Sequence, residues 1–357
     1  MLRSLHHTLE RVPAASGAAV MATGIVSVAL TLDGQTTLAR ILLAIAALEW
    51  IALGLVVAIL FARHPTSVVR RVRSPAALSA VADTAVLATG LTTVGPTWAA
   101  IVLLAIAVTL WLVLIEQVLA HLRARATGVA LMVTVATESL AVLAAAIATQ
   151  AHASWLVAAS LVPLLVGLGL YCFVIARFDF AELTRGRGDQ WIAGGALAIA
   201  TLAAARASAS AQQLHTLGAI AQPLRTTSVV LWVLALTWLA PLLAGELAHP
   251  RLRYHLSRWS TVFPLGMYAA CSFAVGTLTR VSAISEFAET WVWVALCAWA
   301  AVSAGIVHRG VRLGAGHFHA ARRADLHPPR RPADDLHPTP AAGSVIDSGH
   351  AGRHALS

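Results

Sequence analysis

Residues 128–176 read GVALMVTVATESLAVLAAAIATQAHASWLVAASLVPLLVGLGLYCFVIA. Two apolar runs, 128–148 and 155–176, stand either side of a short polar joint. Each is close to the roughly 20 residues a helix needs to cross the hydrocarbon core. The first run is small-featured and carries Thr134, Thr137 and Ser139, with Glu138 in mid-run. The second is bulky, with Trp155, Tyr171 and Phe173. The pair reads as a helical hairpin with one fine-grained and one coarse member.

The same unit recurs on both sides. Further runs fall at 14–32, 38–61, 77–96, 98–121, 190–209, 229–247, 260–279 and 290–307, which makes ten spans in five hairpins. In lipid the backbone must satisfy its own hydrogen bonds, and the runs are too long for barrel strands, so the spans are helices. The predicted fold is all-α and integral to the membrane, with a short N-terminus at 1–12, a membrane domain at 13–307, and a Pro/His/Arg-rich tail at 308–357 that cannot bury enough apolar surface to order itself. The first run follows a basic head as a signal peptide would, but it is long for one and nine spans follow, so it reads as a retained span.

Composition agrees. The chain is 58% hydrophobic and only 11% charged, with mean hydropathy +0.76, where soluble domains are about a quarter charged. A net charge of +9 raises nucleic acid as a partner. Its distribution argues against that, because the cations are all Arg and lie in the joints between spans rather than on one face. Cys172, Cys271 and Cys297 all fall in spans and form no metal-binding or disulfide pattern, so neither a metal nor a cofactor is expected. His317 and His319 in the tail read as solvated, and Asp179, Glu182 and Asp189 as a solvated loop salt-bridged to Arg177, Arg185 and Arg187.

Arginine placement sets an expected orientation. With both ends cytoplasmic, 21 of the 25 Arg fall on the inner side and only Arg40, Arg206, Arg225 and Arg280 on the outer. That is the pattern of a multi-pass protein of a bacterial plasma membrane. A second alternation divides the spans themselves. Gly, Ser and Thr number 28 in the odd spans and 10 in the even ones, while nine of the 11 Trp lie in or beside even spans. Small residues suit close packing or a wet lumen; large aromatics suit lipid and its interfaces. The odd spans are therefore expected inside and the even ones outside, and composition leaves tight packing and a lumen equally open.

Three motifs carry a resemblance. Span 1 holds Val20-Met21-Ala22-Thr23-Gly24-Ile25-Val26-Ser27, span 7 opens on Trp191-Ile192-Ala193-Gly194-Gly195-Ala196, and span 9 on Phe263-Pro264-Leu265-Gly266. With the ten-span layout, these resemble the tellurite-resistance/dicarboxylate transporter family, which includes bacterial tellurite-resistance membrane proteins, fungal sulfite-efflux and malate transporters, and the slow anion channels of plant guard cells. The resemblance covers roughly residues 10–307. It implies five hairpins around a central pore lined by the odd helices, assembly as a homotrimer, and a pore-blocking aromatic on span 9, which falls on Phe263 before Pro264. Read without the family, Phe263 is a packing residue like most span phenylalanines.

The implied function is passage of small anions such as chloride or nitrate, and not enzymology: the spans hold no serine-plus-base pair and no histidine except His121 at the very end of one. Proton-coupled dicarboxylate transport, or export of sulfite or tellurite, is the alternative on the same fold. An anion in bare hydrocarbon costs tens of kcal/mol, so a pathway must offer dipoles, hydroxyls or positive charge. The expected lining is Thr23, Gly24, Ser27, Thr89, Thr93, Thr134, Gly194, Gly195 and Gly266, with Arg206 at the outer end. Asp83 and Glu138 are the intramembrane carboxylates. They are proton-coupling candidates on that alternative, or else carboxyls bonded to Thr84 and Thr137 for packing.

Overall fold

The computed structural model describes residues 16–185, 188–248 and 258–326. The expected N-terminal segment at 1–12 and the tail beyond 326 lie outside them. Ten long helices follow in order: α1 Gly17–Leu32, α2 Thr36–Arg63, α3 Ser79–Val94, α4 Thr97–Leu119, α5 Met132–Gln150, α6 Ser154–Ile175, α7 Trp191–Gln213, α8 Gly218–Ala248, α9 Trp259–Thr279 and α10 Ser282–Leu326. Two short helices, Pro65–Val72 and Glu182–Arg185, sit in the connections. Among the described residues nine helices are long and apolar enough to span a bilayer, and α1 is a shorter apolar one. The fold is an all-α integral membrane fold. The first compact unit is Met1–Val307. In the second, His308–Ser357, the described residues to Leu326 are helical.

Two helices run longer than their apolar cores predict. α8 begins at Gly218 rather than 229 because Ala219–Ser228 is mixed in polarity yet helical, and it includes Pro223 in the second turn, where a backbone hydrogen bond is forfeited. α10 begins at Ser282 rather than 290 for the same reason.

The odd helices form the interior. α1 packs on α3, α3 on α5, α5 on α7, α7 on α9, and α9 back on α1, which closes a five-membered ring. Each even helix lies outside, on its own hairpin partner and on the next odd helix; α2 covers α1 and α3, and α4 covers α3 and α5. Burial follows. Of the central window of α5, 100% is buried, against 17% for α2, α4 and α10, whose Leu48, Leu55, Leu112 and Trp293 are exposed for lipid.

Tryptophan does more in the even helices than face lipid. The indole of Trp50 in α2 donates to the Thr84 hydroxyl of α3 at 2.9 Å, that of Trp111 in α4 to Thr137 of α5 at 2.8 Å, and that of Trp232 in α8 to Ser272 of α9 at 2.8 Å. Trp299 of α10 donates to Thr23 of α1 at 3.0 Å and so joins the last helix to the first. In each case the outer helix of one hairpin is pinned to the inner helix of the next. At one end of the bundle the ring is also tied through its loops: Ala126 donates its N–H to Arg177 and accepts that of Asp179, both at 2.9 Å. There Gly128 lies so close to the Asp189 carbonyl that a Cβ would overlap it.

Candidate functional site: the axis of the helix ring

Consecutive helices alternate in direction, so the five inner helices start at one mouth of the ring and end at the other. Between the mouths lies an axial cavity of about 10 Å³, room for about one water molecule. Every inner helix contributes to its wall: Ile25 from α1, Val86 and Thr89 from α3, Ser139 from α5, Ile199 from α7 and Met267 from α9. The hydroxyls of Thr89 and Ser139 donate to their own helix, to the carbonyls of Ala85 and Ala136. The axis is thus narrow and predominantly apolar in this structure.

Contacts with neighbouring helices fix which face of α9 meets the axis. A methyl added at Gly195 of α7 would meet Pro264, one added at Gly266 would meet Ile25 of α1, and Tyr268 donates to the Ala235 carbonyl of α8. At about 100° per residue, those three contacts occupy the sides toward α7 and α1 and the outward side. The remaining sector holds Met267, which lines the cavity, and Phe263 one turn before it. Phe263 is 2% exposed. On the helical wheel, position 263 therefore falls on the axial face of α9, one turn nearer the mouth where the inner helices begin, although Phe263 is not among the residues that line the cavity.

The expected lining residues divide. Thr89 lines the cavity, and Thr93 continues its stripe one turn further to the exposed end of α3. The others serve contacts between helices. Thr23 receives Trp299, Ser27 donates to the Ala39 carbonyl of α2, and Gly24 faces Val86. Gly194 faces Tyr268 and Trp238, while Gly195 faces Pro264 and Gly266 faces Ile25. Thr134 is fully buried one turn before Glu138, on the same face of α5 and away from Ser139. Sequence reasoning missed Ser139 and Met267. The signal for them is the spacing from the pinned residues: Ser139 follows Thr137, the Trp111 acceptor, by about 200° on the wheel.

Neither carboxylate lies on the axis. Asp83 is 1% exposed and packs against Gly17 of α1, with Glu49 of α2 as its charged neighbour and Glu49 in turn beside Thr23. Glu138 is fully buried with its side chain against Gly167 of α6. All four carboxylate oxygens of the two residues lack a hydrogen-bond partner in the structure, so the expected bonds to Thr84 and Thr137 are replaced. Those hydroxyls donate instead to the Ala80 and Val133 carbonyls and accept from tryptophan. In the loop after α6, Glu182 is buried at 2% exposure and not solvated as expected; Arg187 lies outside the described residues. His317 and His319 fall in the continuation of α10, where side chains are not described.

At the other mouth, the ends of α1, α7 and α9 line a cavity of about 490 Å³ with Leu32, Arg206, Gln213, Thr277 and Arg280, among others. Arg206 follows Leu202, an axial residue, by one turn of α7.

A five-hairpin ring with a closed axis is the architecture the three motifs imply, and comparison with known proteins decides the family. The family model described as voltage-dependent anion channel matches residues 11–307. The chain belongs to the voltage-dependent anion channel family. Two Mycobacterium tuberculosis relatives, uncharacterized membrane proteins of strains CDC 1551 / Oshkosh and H37Rv, are each 32% identical over 126 residues. That stretch is 33% of this chain, which spans 62% of the length of either relative. The voltage-dependent anion channel match thus takes in all five hairpins and ends at Val307, where the first compact unit ends.

Proposed function

We propose that this protein moves small anions across a bacterial plasma membrane along the axis of its five-helix ring, with Phe263 as the barrier. The observation that carries the reading is the axial cavity itself, to which all five inner helices contribute and which Met267 lines, with position 263 one helical turn earlier on the same face of α9. Family membership supports it. An aromatic ring beside an apolar constriction closes a pore by filling it and by keeping it dry. The inner helices begin at the Phe263 mouth, so their positive dipole ends converge there and favour an anion. Arginine distribution puts that mouth and both termini on the cytoplasmic side, and assembly is as a homotrimer. The chemistry is transport, not catalysis. Asp83 and Glu138 lie off the axis, which favours a channel over a proton-coupled carrier of dicarboxylate or an exporter of sulfite or tellurite.

The test is current through planar bilayers in chloride and in nitrate, for wild type, Phe263→Ala and Met267→Ala. The reading expects anion-selective current that rises several-fold in Phe263→Ala and less in Met267→Ala. Silence in all three, together with uptake of labelled malate driven by a pH gradient, overturns the channel.

A further inference from the structure

The wide mouth at the ends of the inner helices presents an electrostatic problem. Five helices end there, and the partial negative charge of their carbonyl ends opposes an approaching anion. The cations at that mouth are therefore informative. Arg225 of α8 reaches the Thr279 carbonyl at 3.5 Å and so serves the end of α9. Arg206 and Arg280 do not. Both line the 490 Å³ cavity, and neither forms an ion pair among the described residues. The Nε of Arg206 is buried without a hydrogen-bond partner.

The backbone at Arg280 adds a second observation. It caps α9 in the left-handed conformation, φ 60°, with its N–H bonded to the Gly276 carbonyl at 2.7 Å. Glycine adopts that geometry without strain and other residues do so at a cost. Here the cap residue contributes a guanidinium to the cavity wall, which glycine cannot.

We infer that Arg206 and Arg280 form an anion-recruitment site in this vestibule, which captures a planar oxyanion (nitrate or a carboxylate group) before it enters the axis. The inference rests on the anion-transport reading above. The guanidinium fork matches a planar oxyanion with two parallel N–H donors, which a spherical halide cannot exploit equally. Gln213 and the Thr277 hydroxyl supply further donors on the same wall. The cavity is far larger than a bare anion, so the captured ion keeps part of its water and is held weakly enough to move on. The site also offsets the carbonyl ends of the ring, so anions enter from either side.

The experiment compares wild type with Arg206→Gln, Arg280→Gln and the double variant in oriented bilayers, at about 0.02 M and about 1 M salt, where screening lengths differ severalfold. One unit charge about 10 Å away across a water-filled mouth changes the local anion concentration by about twofold. The double variant is therefore expected to lose about fourfold of the anion flux entering from the vestibule side at low salt. It should lose almost nothing at high salt, and should show a reduced preference for nitrate over chloride. A loss that is equal at both salt concentrations, or no loss, overturns the site. If wild type passes no anion at all, the transport reading fails and the site is judged separately by chloride NMR line broadening on the solubilised protein. Broadening that nitrate relieves, and that the double variant lacks, then supports the site, while identical broadening in both proteins overturns it.

Discussion

Trp299 and Thr23 lie 276 positions apart in the chain and 3.0 Å apart in space, with the indole N–H donating to the hydroxyl. This bond closes the ring of described hairpins, because it pins the outer helix of the fifth to the inner helix of the first. Within lipid, such bonds average about 0.6 and reach about 1.7 kcal/mol, since the unfolded helices also find partners. Trp299→Phe is expected to lower the unfolding free energy by about that amount, with Thr23→Val alike. In a double-mutant cycle read by unfolding in mixed detergent micelles, the two losses should not add. Additive losses would show that the pair is adjacent without being coupled.

Glu138 and Gly167 make a similar point about α5 and α6. A methyl group at position 167 would overlap the Glu138 side chain, whose burial leaves it no way out. Gly167→Ala is expected to destabilise by about 1–3 kcal/mol through overpacking, and Glu138→Ala in the same chain should restore part of the loss. Full stability of Gly167→Ala alone would mean that α6 shifts freely on the ring.

The two-ring architecture was legible in the sequence because small residues concentrate in odd spans and tryptophan in even ones, and the structure keeps that division. The purpose of the small residues was less legible. Gly24, Gly195 and Gly266 let inner helices approach one another, and Thr23 and Ser27 bond across to α10 and α2. A helix buried all round has no polar stripe to mark its orientation, so α5 with its wholly buried window could not show from composition that Ser139 meets the axis and Thr134 does not. Phe263 stands out through a motif, and only the neighbouring contacts of Pro264, Gly266 and Tyr268 put position 263 on the axial side of α9. Asp83 and Glu138 stood out as carboxylates in apolar runs, but spacing could not say that both face other helices.

Ser139 offers the most direct probe of the axis, because it lines the cavity while its hydroxyl bonds within its own helix. Ser139→Ala should leave conductance near wild type, since the hydroxyl makes no free donor to the axis. Ser139→Leu adds three carbons to a space that holds about one water and should abolish anion current even with Phe263→Ala in the same chain. Current that survives in Ser139→Leu/Phe263→Ala would place the pathway elsewhere.

The carboxylates carry the opposite expectation. Asp83 contacts Gly17 on α1 and has Glu49 as its charged neighbour, and Glu138 meets Gly167, so a passing anion touches neither. Removing each ionisable group without changing shape, as Asp83→Asn and Glu138→Gln, should leave chloride-to-nitrate selectivity and its dependence on bath pH unchanged. An amide placed in either pocket finds no more partners than the carboxyl it replaces, so both variants should stay close to wild type in the midpoint of thermal unfolding in detergent. Loss of pH-gradient-driven uptake of labelled malate in either variant, with its fold intact, would instead make that residue a coupling group reached through the layer between the rings. The channel reading of the axis would then give way to a carrier.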